Sequence, residues 1–207
     1  MQTSNRIEMR CNKMLSLALR ISSAIDSFNR RVGRIVMYGV FLMIAVLAWS
    51  SISKTFLLPA NWTLEIAQFS LVAYYMLGGS YAIQLKSNVR MDLFYGEWSV
   101  RKKAQIDAFT VFFLMFYLTV LLHGGLGSLA YSLGHFKGDT YGFFVSLLSG
   151  DAAIGRLERS PTAWRPYLWP IKLVMCVGVF MMLLQAISEL IKDLHVLKES
   201  NSECLKN

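Results

Sequence analysis

Four long apolar runs constrain this chain more than anything else in it. They cover about 32–58, 62–85, 104–133 and 167–191, and each reaches the roughly 20 residues that a helix needs to cross about 30 Å of hydrocarbon. Hydrophobic residues make up 55% of the 207 and the mean hydropathy is +0.43, the balance of a membrane protein rather than a soluble globule. The sequence therefore predicts an all-α integral membrane protein with four transmembrane helices. Glycines and aspartates punctuate 134–164, which reads as a loop with a short apolar patch, Phe143–Leu148, suited to an interfacial turn.

The first apolar run begins near residue 32 and is too long for a signal-peptide core, so a cleaved leader is not expected. Of the 21 Lys and Arg residues, 15 fall before the first run or at its leading edge (Arg34), between the second and third, or after the fourth. By the positive-inside rule both termini are then cytoplasmic. The formal net charge of +8 follows from this topology and from anionic headgroups, and no folded basic face points to nucleic acid. Three parts result: a cytoplasmic N-terminus over 1–31, a four-helix membrane domain over 32–193, and a cytoplasmic tail over 194–207.

Cys11, Cys176 and Cys204 have neither metal spacing nor a disulfide pattern. The sequence carries no internal repeat, Gly-rich phosphate loop or His/Cys cluster, so neither a catalytic residue, a cofactor site nor a metal site is expected. His123 alone could ligate haem, but His135 and His195 lie at other depths. Before the first run, Met14, Ala18, Ile21, Ile25, Phe28 and Val32 recur three or four apart, with Arg20, Asp26 and Arg30 between them. That spacing predicts an amphipathic helix, lying on the cytoplasmic leaflet or bracing a partner protein.

Glu65 stands one turn inside the second run, after Asn61, which is placed to act as an N-cap, and Trp62, which marks the aqueous interface. A carboxylate there meets the positive end of the helix dipole; alternatively it contacts another helix or subunit, because acids within spans face protein rather than lipid.

The runs IDSFNRRVGRIV, WTLEIAQF, LGGSYAIQLKSNVRMDLFYGEWSVRKKAQID and ERSPTAWRPYLWPIKLVMCVGVFMMLLQAISELI together resemble the small membrane subunit, DctQ-type, of a TRAP (tripartite ATP-independent periplasmic) transporter. The resemblance spans roughly 25–193, and its most specific parts are the Trp62-x-x-Glu65 opening, the loop Val89–Tyr95, and Trp169-Pro170-x-Lys172. One departure is Asn88, where members of the family often carry histidine.

The resemblance implies a non-catalytic scaffold subunit in a bacterial inner membrane. Its partners would be a large multi-spanning subunit, which holds sodium and the substrate, and a soluble periplasmic receptor for an organic acid. The small subunit would enlarge the static scaffold around an elevator-type domain. Two rivals stand beside it: a membrane anchor of a redox complex, and a self-contained homo-oligomeric transporter.

Helix faces that pack in lipid favour small residues and a few hydrogen bonds. Gly78 and Gly79 on the second span and Gly124, Gly125 and Ser128 on the third are therefore subunit-interface candidates, with Trp62, Glu65, Gln185 and Glu189. Arg90 and Asp92, two apart in the loop after span two, are candidates for shaping that loop or joining a polar network with the large subunit. Arg156, Glu158, Arg159 and Arg165 are candidates for receptor docking. Trp164, Tyr167 and Trp169 form an aromatic girdle, with Lys172 just inside it and able to snorkel.

Overall fold

The computed structural model describes residues 2–56, 60–85, 100–136, 138–150 and 154–204. Among the described residues the regular structure is helical, apart from one isolated bridge between Arg159 and Tyr167. In chain order the helices are α1 Gln2–Met37, α2 Gly39–Phe56, α3 Trp62–Gln84, α4 Val100–Ser132, α5 Thr140–Ser149 and α6 Trp169–Cys204. The apolar patch expected as a turn is thus a true helix, α5. It opens with Asp139, whose side chain accepts from the Gly142 N–H, and closes on Gly150 at φ 81°, where glycine escapes the left-handed penalty.

Three helical stretches are long and apolar enough to cross a membrane: Leu17–Phe56, Gln105–Ser132 and Trp169–Leu197. These confirm the membrane class. The remaining expected span, α3, has 23 residues but carries Glu65, Gln68, Tyr74, Tyr75, Tyr81 and Gln84. It packs against α1, α2 and α6, so Thr63, Glu65 and Ser80 are buried by protein.

α1 and α2 form nearly one rod. At Tyr38 the hydrogen bonds tighten to three-residue spacing, from Tyr38 N to Ile35 O and from Phe41 N to Tyr38 O, both 3.1 Å, a short 3₁₀-like join. The rod runs antiparallel to α3, with Gly33 against Tyr81, Val36 against Gly78, Gly39 against Tyr74 and Ser50 against Thr63.

α6 is the hub, packing on α4, α3 and α1. Leu118, Val179 and Ala186 form the buried centre, and Met76, Met115 and Met182 pack round it. Close approach between helices needs glycine at Gly178 and Gly33. A Cβ on Gly178 would lie 2.8 Å from the Met76 backbone, and one on Gly33 would lie 2.5 Å from the Tyr81 ring.

The α1 periodicity is present, but its apolar stripe faces outward. Ile21 and Phe28 are 51% and 57% exposed, whereas Ser22 and Asn29 are 1% exposed against α6. Exposed Arg20, Arg30, Arg31 and Arg34 flank that outward apolar stripe, a surface suited to a membrane boundary or a partner protein.

Gly178→Ala is expected to cost about 1–3 kcal/mol, because the added methyl meets fixed backbone. Gly124→Ala, which meets nothing within 4 Å, is expected to stay within about 0.5 kcal/mol of the unsubstituted chain. Denaturant unfolding of both variants in detergent checks this contrast.

Candidate functional site

Two polar centres lie at opposite ends of α6. The first joins α6 to α1. Asn29 Nδ2 donates to Gln185 Oε1 at 2.6 Å, and Gln185 Nε2 donates to Asp26 Oδ1 at 3.0 Å and to Glu189 Oε1 at 3.3 Å. Ser188 Oγ donates to Asp26 Oδ1 at 2.9 Å and shares a 2.6 Å bond with Ser22 Oγ. Lys192 closes the network with ion pairs to Asp26 Oδ2 at 2.7 Å and Glu189 Oε1 at 2.8 Å. From α3, Gln84 Nε2 reaches the Asp26 carbonyl at 3.1 Å.

The network lies about 24–35 Å along the helix from Trp169, at a rise of 1.5 Å per residue. That depth is close to the far boundary of a hydrocarbon core about 30 Å thick. A buried carboxylate is costly unless paired and hydrogen-bonded. The charge of Asp26 is met here by a lysine and two neutral donors, and this sets how α1 docks.

The second centre lies at the α6 start. Residues 155–158 are laced to the end of α4 by Gly155 N to Leu133 O, 3.2 Å, and Glu158 N to Ser132 O, 3.1 Å. The chain then folds into a small hairpin. Ser160 N donates to Pro166 O at 2.9 Å, Leu168 N to Glu158 O at 3.2 Å, and the Arg159 guanidinium lies 4.5 Å over the Tyr167 ring and donates to its hydroxyl. Arg165 takes φ 52° at the hairpin turn, a left-handed conformation that is costly for a residue other than glycine, and its N–H donates to Thr162 O at 3.2 Å. Lys172 does not simply snorkel: its Nζ pairs with Glu158 Oε2 at 2.5 Å and donates to Ser128 O at 3.3 Å.

An open cleft of about 790 Å³ lies beside the hairpin, lined by Tyr131, Phe136, Arg156, Arg159, Arg165 and Tyr167 among others. Trp164, Tyr167 and Trp169 stand exposed around the same end. Arg156, Glu158, Arg159 and Arg165 are therefore brought together, with Glu158 already engaged by Lys172.

The expected small-residue positions fall on different surfaces. Gly78 and Gly79 face Val36 and Met182, and Gly125 faces Cys176, all within the chain. Gly124 opens onto an apolar groove of about 350 Å³, and Ser128 lines the same groove. Trp62 is exposed at the start of α3. Glu65 is 5% exposed, and its Oε2 has no hydrogen-bond partner among the described residues. Asn61 corrects the capping expectation: it is in the αR conformation and its side chain makes no cap bond, so Thr63, bonding Ala60 O at 2.8 Å and Ser50 Oγ at 3.0 Å, is the polar tie there. Arg90, Asp92 and Asn88 lie outside the described residues. His123 meets Tyr141 Oη at 2.8 Å.

Sequence reasoning missed Ser22, Asn29 and Ser188, and assigned Asp26 only to a polar face. Their signal was the second stripe of α1, three and four apart, matching Gln185, Ser188, Glu189 and Lys192 on α6.

Residues 43–196 match the family described as tripartite ATP-independent periplasmic transporters, DctQ component. The chain belongs to this family. A DctQ chain is the small component of a TRAP transporter, and membership implies association with the large membrane subunit and a substrate-binding protein. The match spans most of α2, all of α3, α4 and α5, and most of α6, and so takes in Gln185, Ser188 and Lys192 but not their α1 partners. No curated protein and no solved structure matches the DctQ chain.

Gln185→Leu is expected to cost about 1–3 kcal/mol, since Asn29 and Asp26 each lose a buried partner. Adding Asn29→Leu should cost less than the sum of the two single changes, because the pair shares one network. Unfolding of the four chains of this cycle in detergent measures the coupling; strict additivity would break the assignment.

Proposed function

We propose that this DctQ chain is a non-catalytic scaffold subunit of a sodium-driven TRAP transporter for an organic acid, with four membrane crossings and both termini in the cytoplasm of a bacterial cell. The carrying observation is that Lys192 of α6 pairs with Asp26 across the α1–α6 contact and with Glu189 on its own helix. They serve helix docking, whereas a transport site in lipid uses such groups to meet its solute. Sodium and substrate would then bind on the large subunit, whose elevator-type motion this chain would brace.

The fourth crossing is α3, whose Thr63, Glu65 and Ser80 are buried by its neighbours while Gln68 and Tyr75 stay exposed. On this topology the α1–α6 network sits at the cytoplasmic side, with the basic residues, and the hairpin sits at the periplasmic side.

The large subunit would cover part of the outward apolar surface. The exposed stripes of α1, α2 and α4 offer Ile21 and Phe28, Phe41 and Trp49, and Phe112 and Phe116 respectively. Trp62, Gly124, Ser128 and the loop of Arg90 and Asp92 are interface candidates from the sequence, while Gly78, Gly79, Gly125, Gln185 and Glu189 would support the interface from within. Glu65, with a buried oxygen in want of a donor, would take one from the assembled complex. A periplasmic receptor would meet the hairpin end, where Arg156, Arg159 and Arg165 present positive charge and Glu158 holds Lys172.

Mild-detergent affinity purification of the chain from its native membrane, followed by intact mass analysis, tests the scaffold reading. Recovery of one much larger multi-spanning protein in equal amount is expected; recovery as a homo-oligomer, or solute flux in liposomes from this chain alone, would overturn it. Glu65→Gln is expected to lower recovery of the large subunit several-fold and to leave the number of coupled sodium ions unchanged in reconstituted uptake. An altered ion count with assembly intact would move that residue into the transport site.

A further inference from the structure

The cleft and the apolar groove lie on one stripe of α4. Tyr117, Val120, Gly124 and Ser128 line the groove, and Tyr131, which lines the cleft, follows Ser128 by three residues and Gly124 by seven. At 3.6 residues per turn these positions share a face. Met175 of α6 forms part of the opposite wall of the groove. At the junction, Lys172 Nζ bonds Ser128 O and lies 5.8 Å over the Tyr131 ring, so the seam passes from bare hydrocarbon wall to cationic cleft over about one helical turn.

The two parts differ in chemistry in the way that the two parts of a phospholipid differ. Gly124 faces the open space of the groove, where a Cβ would meet nothing within 4 Å. In the cleft, Glu158 is taken by Lys172, and Arg159 is held against Tyr167. Arg156 and Arg165 are exposed and make no ion pair among the described residues. The hairpin keeps Arg165 at its positive φ beside the cleft. Trp164, Tyr167 and Trp169 mark this level as the headgroup region.

We infer that the α4–α6 seam binds one anionic glycerophospholipid, with its phosphate in the cleft between Arg156 and Arg165 and one acyl chain along Tyr117, Gly124 and Met175. The inference rests on membrane insertion and not on the transporter reading. A soluble receptor that docks at this end then meets the loops around the headgroup and does not fill the cleft.

The test uses the full chain in mild detergent, with whatever partners it retains, equilibrated with equimolar phosphatidylglycerol and phosphatidylcholine of identical acyl chains. Native mass spectrometry reads the lipid that stays bound. One phosphatidylglycerol per chain is expected, at about tenfold preference, the order that two basic residues near a membrane surface supply. Arg156→Gln with Arg165→Gln should abolish the preference. Gly124→Leu should fill the groove and lower retention of both lipids, and Lys54→Gln, an exposed cation elsewhere, should change nothing. Arg156, Arg165 and Gly124 are exposed, so these variants are expected to fold, and an unchanged melting curve verifies each. Equal retention of the two lipids by the unsubstituted chain, or preference that survives the double arginine change, overturns the inference. So does displacement of the lipid by soluble glycerol phosphate alone, which would mean a plain anion site, or by a receptor protein, which would make the cleft a docking surface.

Discussion

Hydrogen bonds between α1 and α6 decide which way α1 faces, and much of the architecture follows from that. In water an amphipathic helix hides its apolar stripe. Within lipid the apolar stripe costs nothing to expose, and the polar stripe is the one that must find partners. Ser22, Asp26 and Asn29 find Gln185, Ser188 and Lys192, so Ile21 and Phe28 turn outward. With α1 fixed in this way, the rod of α1 and α2 is aligned on α3, Gly33 seats against Tyr81, and the face of α3 that carries Thr63, Glu65 and Ser80 is enclosed.

Close contact does the rest. Apolar side chains gain little from leaving lipid for a protein neighbour, so packing rests on dispersion over short distances and on shape. Gly178 lets α6 reach the α3 backbone at Met76, and Gly79 and Gly125 admit Met182 and Cys176. Methionines crowd this centre, Met76, Met115 and Met182 among them. Their unbranched, flexible side chains can fill the irregular space that glycines leave.

Helix existence and type were legible because length and apolarity set them: three of the four runs are recovered as spans by composition, and the fourth is a helix of 23 residues. Trp164, Tyr167 and Trp169, close in sequence, also stand exposed together at one end of the bundle. The facing of α1 was not legible, because a period of three and four defines two stripes and does not say which solvent surrounds them. The Tyr38 join carries no proline to announce it. The partners of Gln185 were hidden for another reason: Asn29 and Asp26 lie 156 and 159 residues away, and no local pattern reaches so far. Asn61 looked like a cap by residue type, yet the cap bond depends on a backbone conformation that it does not adopt.

The depth of the α1–α6 network explains how two carboxylates and a lysine are tolerated there. From Trp169 to Gln185 is about 24 Å of helix, and to Lys192 about 35 Å, so on the proposed topology the acids sit where the core gives way to headgroups. Lys192 is partly exposed while Glu189 is almost wholly covered, so the ammonium can reach water and the carboxylate depends on donors from the protein. Moving the same groups two turns toward Trp169 would bring them beside Gly178 and Val179, in the dry packed centre, and there the desolvation penalty would outweigh the pairing. The placement of polar residues along α6 is thus set by depth as much as by partner. That is why the contacts to α1 gather at one end of the helix, while the other end is tied to the hairpin and α4 through Lys172, Glu158 and Ser128 and leaves Arg156 and Arg165 open.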